Sequence, residues 1–348
     1  EAQGGTDMAA WEFPTATIEL DTLIGDLGSI SKNTNHVEFE LGRSKYHAKT
    51  NTITTADDER ITLTGNSFVQ LCNLIDVPSS YAGRMPDTLT DFTVNYLLTE
   101  GPRRPYNALV DDKGVARSLM RPDLPYVPHD ALLEAIVDSF DGEAPFVHRW
   151  GVNDGKFVVQ LRSPELTFED PGGSVLFGGV AVAYDDSWKT APVFKTFLNR
   201  LVCDNGASVN IDGRKFRVNG YSSDGVLAQA NEFSSLALDQ VKQMVDGLLA
   251  MQQDKIRNAE SAVRNMCVQY RLPNKIKELL IRYLTDEGYL ATVSDGIPST
   301  MYDIVNLFTY VGTHDFTISV EYRDLLCEIG GGAMFAHDET CESCGSKV

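Results

Sequence analysis

The stretch VLAQANEFSSLALDQVKQMVDGLLAMQQDK, Val226–Lys255, holds no proline and a single glycine. Leu238, Val241, Met244, Val245, Leu248 and Met251 fall on one stripe of it, the 3–4 spacing of a long amphipathic helix. Everything N-terminal to it reads differently. His36–Leu41 alternates polar and apolar residues, as a half-buried strand does, and Arg60–Leu63 is a second short strand. Tyr106–Val110 and Val115–Leu119 flank Asp111-Asp112-Lys113-Gly114, a hairpin signal. Phe146–Val152 and Lys156–Leu161 flank Asn153-Asp154-Gly155, and Val175–Tyr184 supplies a further strand. Arg214–Val218 is strand-like, while Phe194–Cys203 is apolar and fits either a strand or a helix.

Helices are interspersed in this first part. Asn66 is expected to cap a helix through Phe68, Leu71, Cys72 and Ile75 that ends at Pro78. A second runs from Asp87 to Leu98, and a third, capped by Asp130, passes through Leu132, Ile136 and Phe140 to stop at Gly142. After Val226 only helical periods remain: Ala259–Leu272, Asn274–Leu284, Ser299–Val311, and Ser319–Ile329 halted by Gly330-Gly331-Gly332. Strands first and helices after argue for an α+β protein, with a mixed or antiparallel sheet and a helical C-terminal part. The expected division is an arm over residues 1–35 with little core-forming capacity, an α+β domain over 36–225, a helical region over 226–332 and a Cys/His tail over 333–348.

Composition narrows the function classes. The 348 residues are 43% hydrophobic, enough for a substantial core, and carry a net charge of −19. Such a charge repels nucleic acid and anionic lipid at long range, so any nucleic-acid contact must rest on a local basic patch. Apolar runs reach about ten residues against the roughly 20 a membrane span needs, so no membrane association is expected. No basic and apolar leader opens the sequence, and the cysteines are not arranged as a disulfide framework; both fit a reducing cytoplasm.

Catalytic signatures are absent from the sequence. There is no GxxxxGK[ST], no GxGxxG after a strand, no GxSxG and no HExxH. Gly178-Gly179 reads as a bulge or a close backbone approach. Asp57-Asp58-Glu59, Asp111-Asp112 and Asp185-Asp186 sit beside turn residues, where Asp bonds its own backbone. The end of the chain is more specific: His337, Cys341 and Cys344 form H-x₃-C-x₂-C, three of the four ligands of a tetrahedral zinc. Cys327, His314 or a symmetry mate could supply the fourth; a tail with unused thiols and a CxxC that oxidises are the other readings.

Cations are clustered despite the acidic total. Lys255, Arg257, Arg264, Arg271, Lys275, Lys277 and Arg282 face two carboxylates, Glu260 and Glu278, within their own stretch. Lys189, Lys195, Arg200, Arg214, Lys215 and Arg217 face Asp204 and Asp212. Arg117 and Arg121 form a shorter group near Tyr106, Tyr126 and Trp150. Cations interleaved with aromatics suit single-stranded nucleic acid, which offers phosphates and stacking faces.

Three stretches resemble one family. Gly114–Arg121 closes on Tyr126 and then Asp130–Ile136; Gly178–Val182 is followed by Phe197–Gly206, with its L-x-R-L-V-C-x-N-G run, and by the basic strand Lys215–Val218; Thr300–Thr309 is the third. Together they are similar to the phage/plasmid-like family described as "domain of unknown function 932", over about residues 60–330. Asp204 departs from the Thr usual there, and the terminal H-x₃-C-x₂-C lies outside the pattern. The resemblance implies a phage or plasmid origin and no particular activity.

The resulting expectation is a protein acting on single-stranded DNA in replication, recombination or annealing, in the cytoplasm of an infected or plasmid-bearing host or in a virion. Arg117, Arg121, Arg200, Arg214, Lys215 and Arg217 are its expected phosphate contacts. The alternative is an interaction or virion-associated protein whose acidic surface meets a protein partner or a second copy.

Overall fold

The computed structural model describes residues 18–101, 104–140, 142–169, 175–188, 192–200, 206–210, 222–291, 293 and 296–336. It is an α+β protein. A six-stranded mixed sheet has the order β1(Asn35–Glu40), β5(Pro105–Val110), β6(Val115–Met120), β4(Arg60–Leu63), β3(Thr52–Thr54), β2(Lys45–His47). Only β4 and β6 run parallel. A second, antiparallel sheet is ordered β11(Gly206–Asn210), β10(Val193–Arg200), β9(Val175–Asp185), β8(Lys156–Glu169), β7(Phe146–Asn153).

Both predicted hairpins form, for the turn chemistry the sequence carries. Asp111 Oδ1 accepts from the Lys113 and Val115 amides, at 2.9 and 2.8 Å, and closes the β5–β6 turn. Asp154 and Gly155 both take positive φ, 45° and 79°, the two-residue turn whose twist matches that of the flanking strands. The ambiguous Phe194 stretch is a strand, paired along β9.

Caps differ from expectation. Helix α2(Gly65–Leu74) is capped by Thr64, not Asn66: Thr64 Oγ1 accepts from the Ser67 amide at 3.2 Å and Ser67 Oγ returns the bond at 2.8 Å. Asn66 instead donates to the Asp154 carbonyl at 2.7 Å, tying α2 to the β7–β8 turn. Asp130 lies inside the first turn of α5(His129–Val137) and accepts from Ser31 at 2.6 Å. Ser31 belongs to α1(Leu20–Lys32), within the stretch read as an arm; Leu23 and Leu27 of this helix are fully buried, so the segment is part of the core. Between them in the chain, α3(Ser79–Ala82) and α4(Asp87–Glu100) cover the six-stranded sheet.

The deciding helix, α6(Ser223–Gln253), serves two cores. Val226, Ala230, Phe233 and Ala237 pack with Phe157, Val180 and Val182 of the antiparallel sheet and with Leu109 and Met120 of the mixed one. Val241, Met244, Val245, Leu248 and Met251 continue into the helical core made with α7(Ala259–Gln269), α8(Asn274–Tyr283), α9(Glu287–Leu290), α10(Met301–His314) and α11(Val320–Ala336). Gly330, Gly331 and Gly332 do not halt α11. A Cβ on Gly330 would run into Thr309, so its bare backbone lets α11 approach α10.

Gly178 and Gly179 are a close approach, as their sequence suggests. A side chain on Gly178 would collide with Val241 of α6, and a Cβ on Gly179 would enter the Leu161 carbonyl of β8. Gly179 cannot retreat without breaking its pairing with Arg162 of β8, nor Gly178 without breaking its pairing with Leu198 of β10. Gly179→Ala is therefore expected to cost about 3 kcal/mol, read from the denaturant midpoint, and a loss under about 0.5 kcal/mol would contradict the packing.

Buried thiols behave as small hydrophobes. Burial pushes Cys72 and Cys267 up to about 11, which keeps both protonated and unreactive at neutral pH.

Candidate nucleic-acid interface

Two of the six expected phosphate contacts already have carboxylate partners. Arg121, on the surface, pairs with Asp123 through Nε at 2.9 Å and through Nη2. Arg117 points inward from β6. Its Nε lies 3.1 Å from Asp186 Oδ2, an ion-pair contact without hydrogen-bond alignment, and its Nη2 donates to Tyr126 Oη at 2.9 Å. Arg200 ends β10, and its side chain is outside the described residues. So are Cys203, Arg214, Lys215 and Arg217, together with the proposed zinc ligands His337, Cys341 and Cys344. Among the described residues no cluster of three His, Cys, Asp or Glu side chains could hold a metal ion.

Arg117 thus belongs to a buried charge network between the sheets. Asp186, just beyond β9, is fully buried and also meets His129 Nε2 at 3.1 Å. The His129 ring stacks on Phe157 at 5.3 Å and meets Tyr184 edge-on at 5.7 Å. Burial, and then the nearby Asp186 charge, push the Tyr184 hydroxyl well above its ordinary range. Burial and the Arg117 charge pull His36, which packs on Tyr126, downward. Enclosure and mutual neutralisation make this network a clamp that fixes β6, α5 and β9 together.

The exposed positive charge sits elsewhere, on the helical hairpin α7–α8 and on the connection that leads into it from α6. Its inner faces, Val263, Met266 and Cys267 on α7 and Ile276, Leu279 and Leu280 on α8, are buried in the helical core. The 3.6-residue period then turns Arg264 of α7 and Lys275 and Arg282 of α8 away from that core, while Lys255 and Arg257 precede α7 and Arg271 lies in the turn between the two helices. Arg264 is held by Glu260 at 2.8 Å and Glu278 at 3.5 Å. Lys255, Arg257, Arg271, Lys275 and Arg282 are exposed, and none has a carboxylate within ion-pair distance among the described residues.

Arg271 is unusual in its backbone. It occupies the turn after α7 with φ +53°, where the Leu272 amide donates to the Cys267 carbonyl at 2.8 Å and its own amide to Val268 at 3.1 Å. That paired closure ordinarily places glycine at this position, because any Cβ is strained there by about 1 kcal/mol. The chain carries a strained cation where glycine would fold better.

An open hollow of about 420 Å³ adjoins the far end of α8, lined by Arg282, Tyr283, Thr285, Asp286, Asp315 and Thr317. Asp315 accepts from the Thr317 amide and hydroxyl, at 2.8 and 2.5 Å, and from Tyr283 Oη at 3.1 Å. Burial raises this carboxyl, but the Thr317 and Tyr283 bonds outweigh it and the net shift is downward. Tyr283 is pushed up to about 12 by burial and then by Asp315.

The seven-cation count of Lys255–Arg282 carried the signal for the hairpin, but the count alone does not say which cations lack partners. Nothing in the sequence marked the hollow, whose walls come from two separate segments, 282–286 and 315–317.

No family model matches the chain, and neither curated proteins nor solved structures yield a match. Among the described residues no helix is long and apolar enough to cross a membrane.

Proposed function

We propose that the protein binds single-stranded nucleic acid through the α7–α8 hairpin. The observation that carries this reading is the group of five exposed cations without carboxylate partners, on a chain whose net charge is −19. The acidic remainder repels phosphate everywhere else, so binding is confined to a short footprint. A short, isolated basic face suits a flexible strand better than a long stiff duplex. The phage or plasmid origin that the resemblance implies fits a role in replication, recombination or annealing, where single strands are exposed.

The test is fluorescence anisotropy with a labelled single-stranded oligonucleotide across a salt series. Five phosphate contacts give a log–log slope of about −3.5, at roughly 0.7 per contact. Arg271→Gly separates function from folding. It is expected to flatten the slope by about 0.7 while raising stability by about 0.5–1 kcal/mol. Wild-type protein without salt-sensitive binding at about 50 mM salt would overturn the reading, since screening is weak there.

A protein-binding reading has one observation in its favour. Leu89, Phe92 and Tyr96 form an exposed stripe on α4, with the Phe92 and Tyr96 rings stacked at 6.4 Å. Apolar stripes of this kind mark partner surfaces. Failure of the salt titration would promote that reading.

A further inference from the structure

The hollow at the end of α8 offers a second kind of contact, one able to distinguish bases. Of its polar groups, Asp315 already accepts three hydrogen bonds, two from Thr317 and one from Tyr283. Asp286 uses only Oδ1, which accepts from the Tyr289 amide at 3.0 Å to cap α9. Its Oδ2 has no donor among the described residues, and Asp286 lines a space about the size of one nucleotide. Arg282 on the same hollow has no ion-pair partner among the described residues and belongs to α8, which also carries the exposed Lys275. A cation and an open carboxylate on the wall of one hollow are groups that one nucleotide can use at once: phosphate on Arg282 and base edge on Asp286.

We propose that this hollow seats one nucleotide of the bound strand and prefers bases that carry an exocyclic amine. A carboxylate oxygen accepts from the amino group of cytosine, adenine or guanine and finds no such donor on thymine or uracil. The inference rests on the single-strand reading above and deepens it.

The experiment is competition anisotropy with oligo(dC) and oligo(dT) of equal length at pH 7.5 and 50 mM salt, on wild-type protein and on Asp286→Ser. Serine keeps a side-chain oxygen to cap α9 but removes the reaching carboxylate. Wild-type protein is expected to bind oligo(dC) about fivefold more tightly. Asp286→Ser should bind both strands with the oligo(dT) affinity and an unchanged salt slope. Equal affinities for the two strands in wild-type protein, with the salt slope intact, overturn the inference and leave the single-strand reading standing. A preference that survives in Asp286→Ser also overturns it. Absence of salt-sensitive binding to either strand removes the single-strand reading itself, and the inference with it.

Discussion

Asp186→Ala is expected to destabilise the protein by about 3–5 kcal/mol, measured by denaturant unfolding. The side chain is fully buried and meets two partners at once, the Arg117 guanidinium through Nε and the His129 ring through Nε2, each at 3.1 Å. Removing it leaves the Arg117 guanidinium, 16% exposed, enclosed without its counter-charge. Arginine cannot escape by deprotonation, so the penalty is borne by the fold. The damage should also spread, because the three residues sit on β6, α5 and the end of β9 and hold both sheets around a shared core. Asp186→Asn keeps the shape and loses the charge, so it should fall between wild type and Ala. A loss below about 1 kcal/mol in the Ala variant would mean that the apolar core alone joins the sheets.

Replacing Lys255, Arg257, Lys275 and Arg282 together by Ala is expected to lower single-strand affinity by about three and a half orders of magnitude at 50 mM salt. Each lost phosphate contact removes about 0.9 log units at that concentration, from a slope of roughly 0.7 per contact. All four side chains are exposed and make no ion pair among the described residues, so unfolding should be little affected. The effect should shrink as salt rises, since the wild type loses the same counterion advantage by screening. A loss under about tenfold, with folding unchanged, would move the interface off α7–α8. Replacing Arg121 is the natural control, because its charge is already met by Asp123.

Much of the fold was legible because its signals are local. The periods of His36–Leu41 and Val226–Lys255, and the turns at Asp111–Gly114 and Asn153–Gly155, depend on residues within one or two turns of each other. The errors lay where a local rule met a distant partner. Asn66 and Asp130 look like caps, yet their side chains are taken by Asp154 and Ser31. Gly330–Gly332 look like a helix stop, yet packing against α10 carries α11 through them. The stretch read as an arm supplies Leu23 and Leu27 to a core whose other members lie beyond residue 100.

For the candidate site the division is sharper. The sequence by itself determined how many charges the chain carries, the α+β class, and that cations concentrate in Lys255–Arg282. Only the tertiary structure decided which of those cations act outward. Arg117 and Arg271 are the same residue type, and each has further cations near it in the chain. One is neutralised by a buried carboxylate brought from another sheet, and the other is left in solvent at a strained turn. Secondary structure follows from neighbours in the chain, whereas the field at a side chain is set by whichever charges and low-dielectric surfaces folding brings within a few ångströms of it.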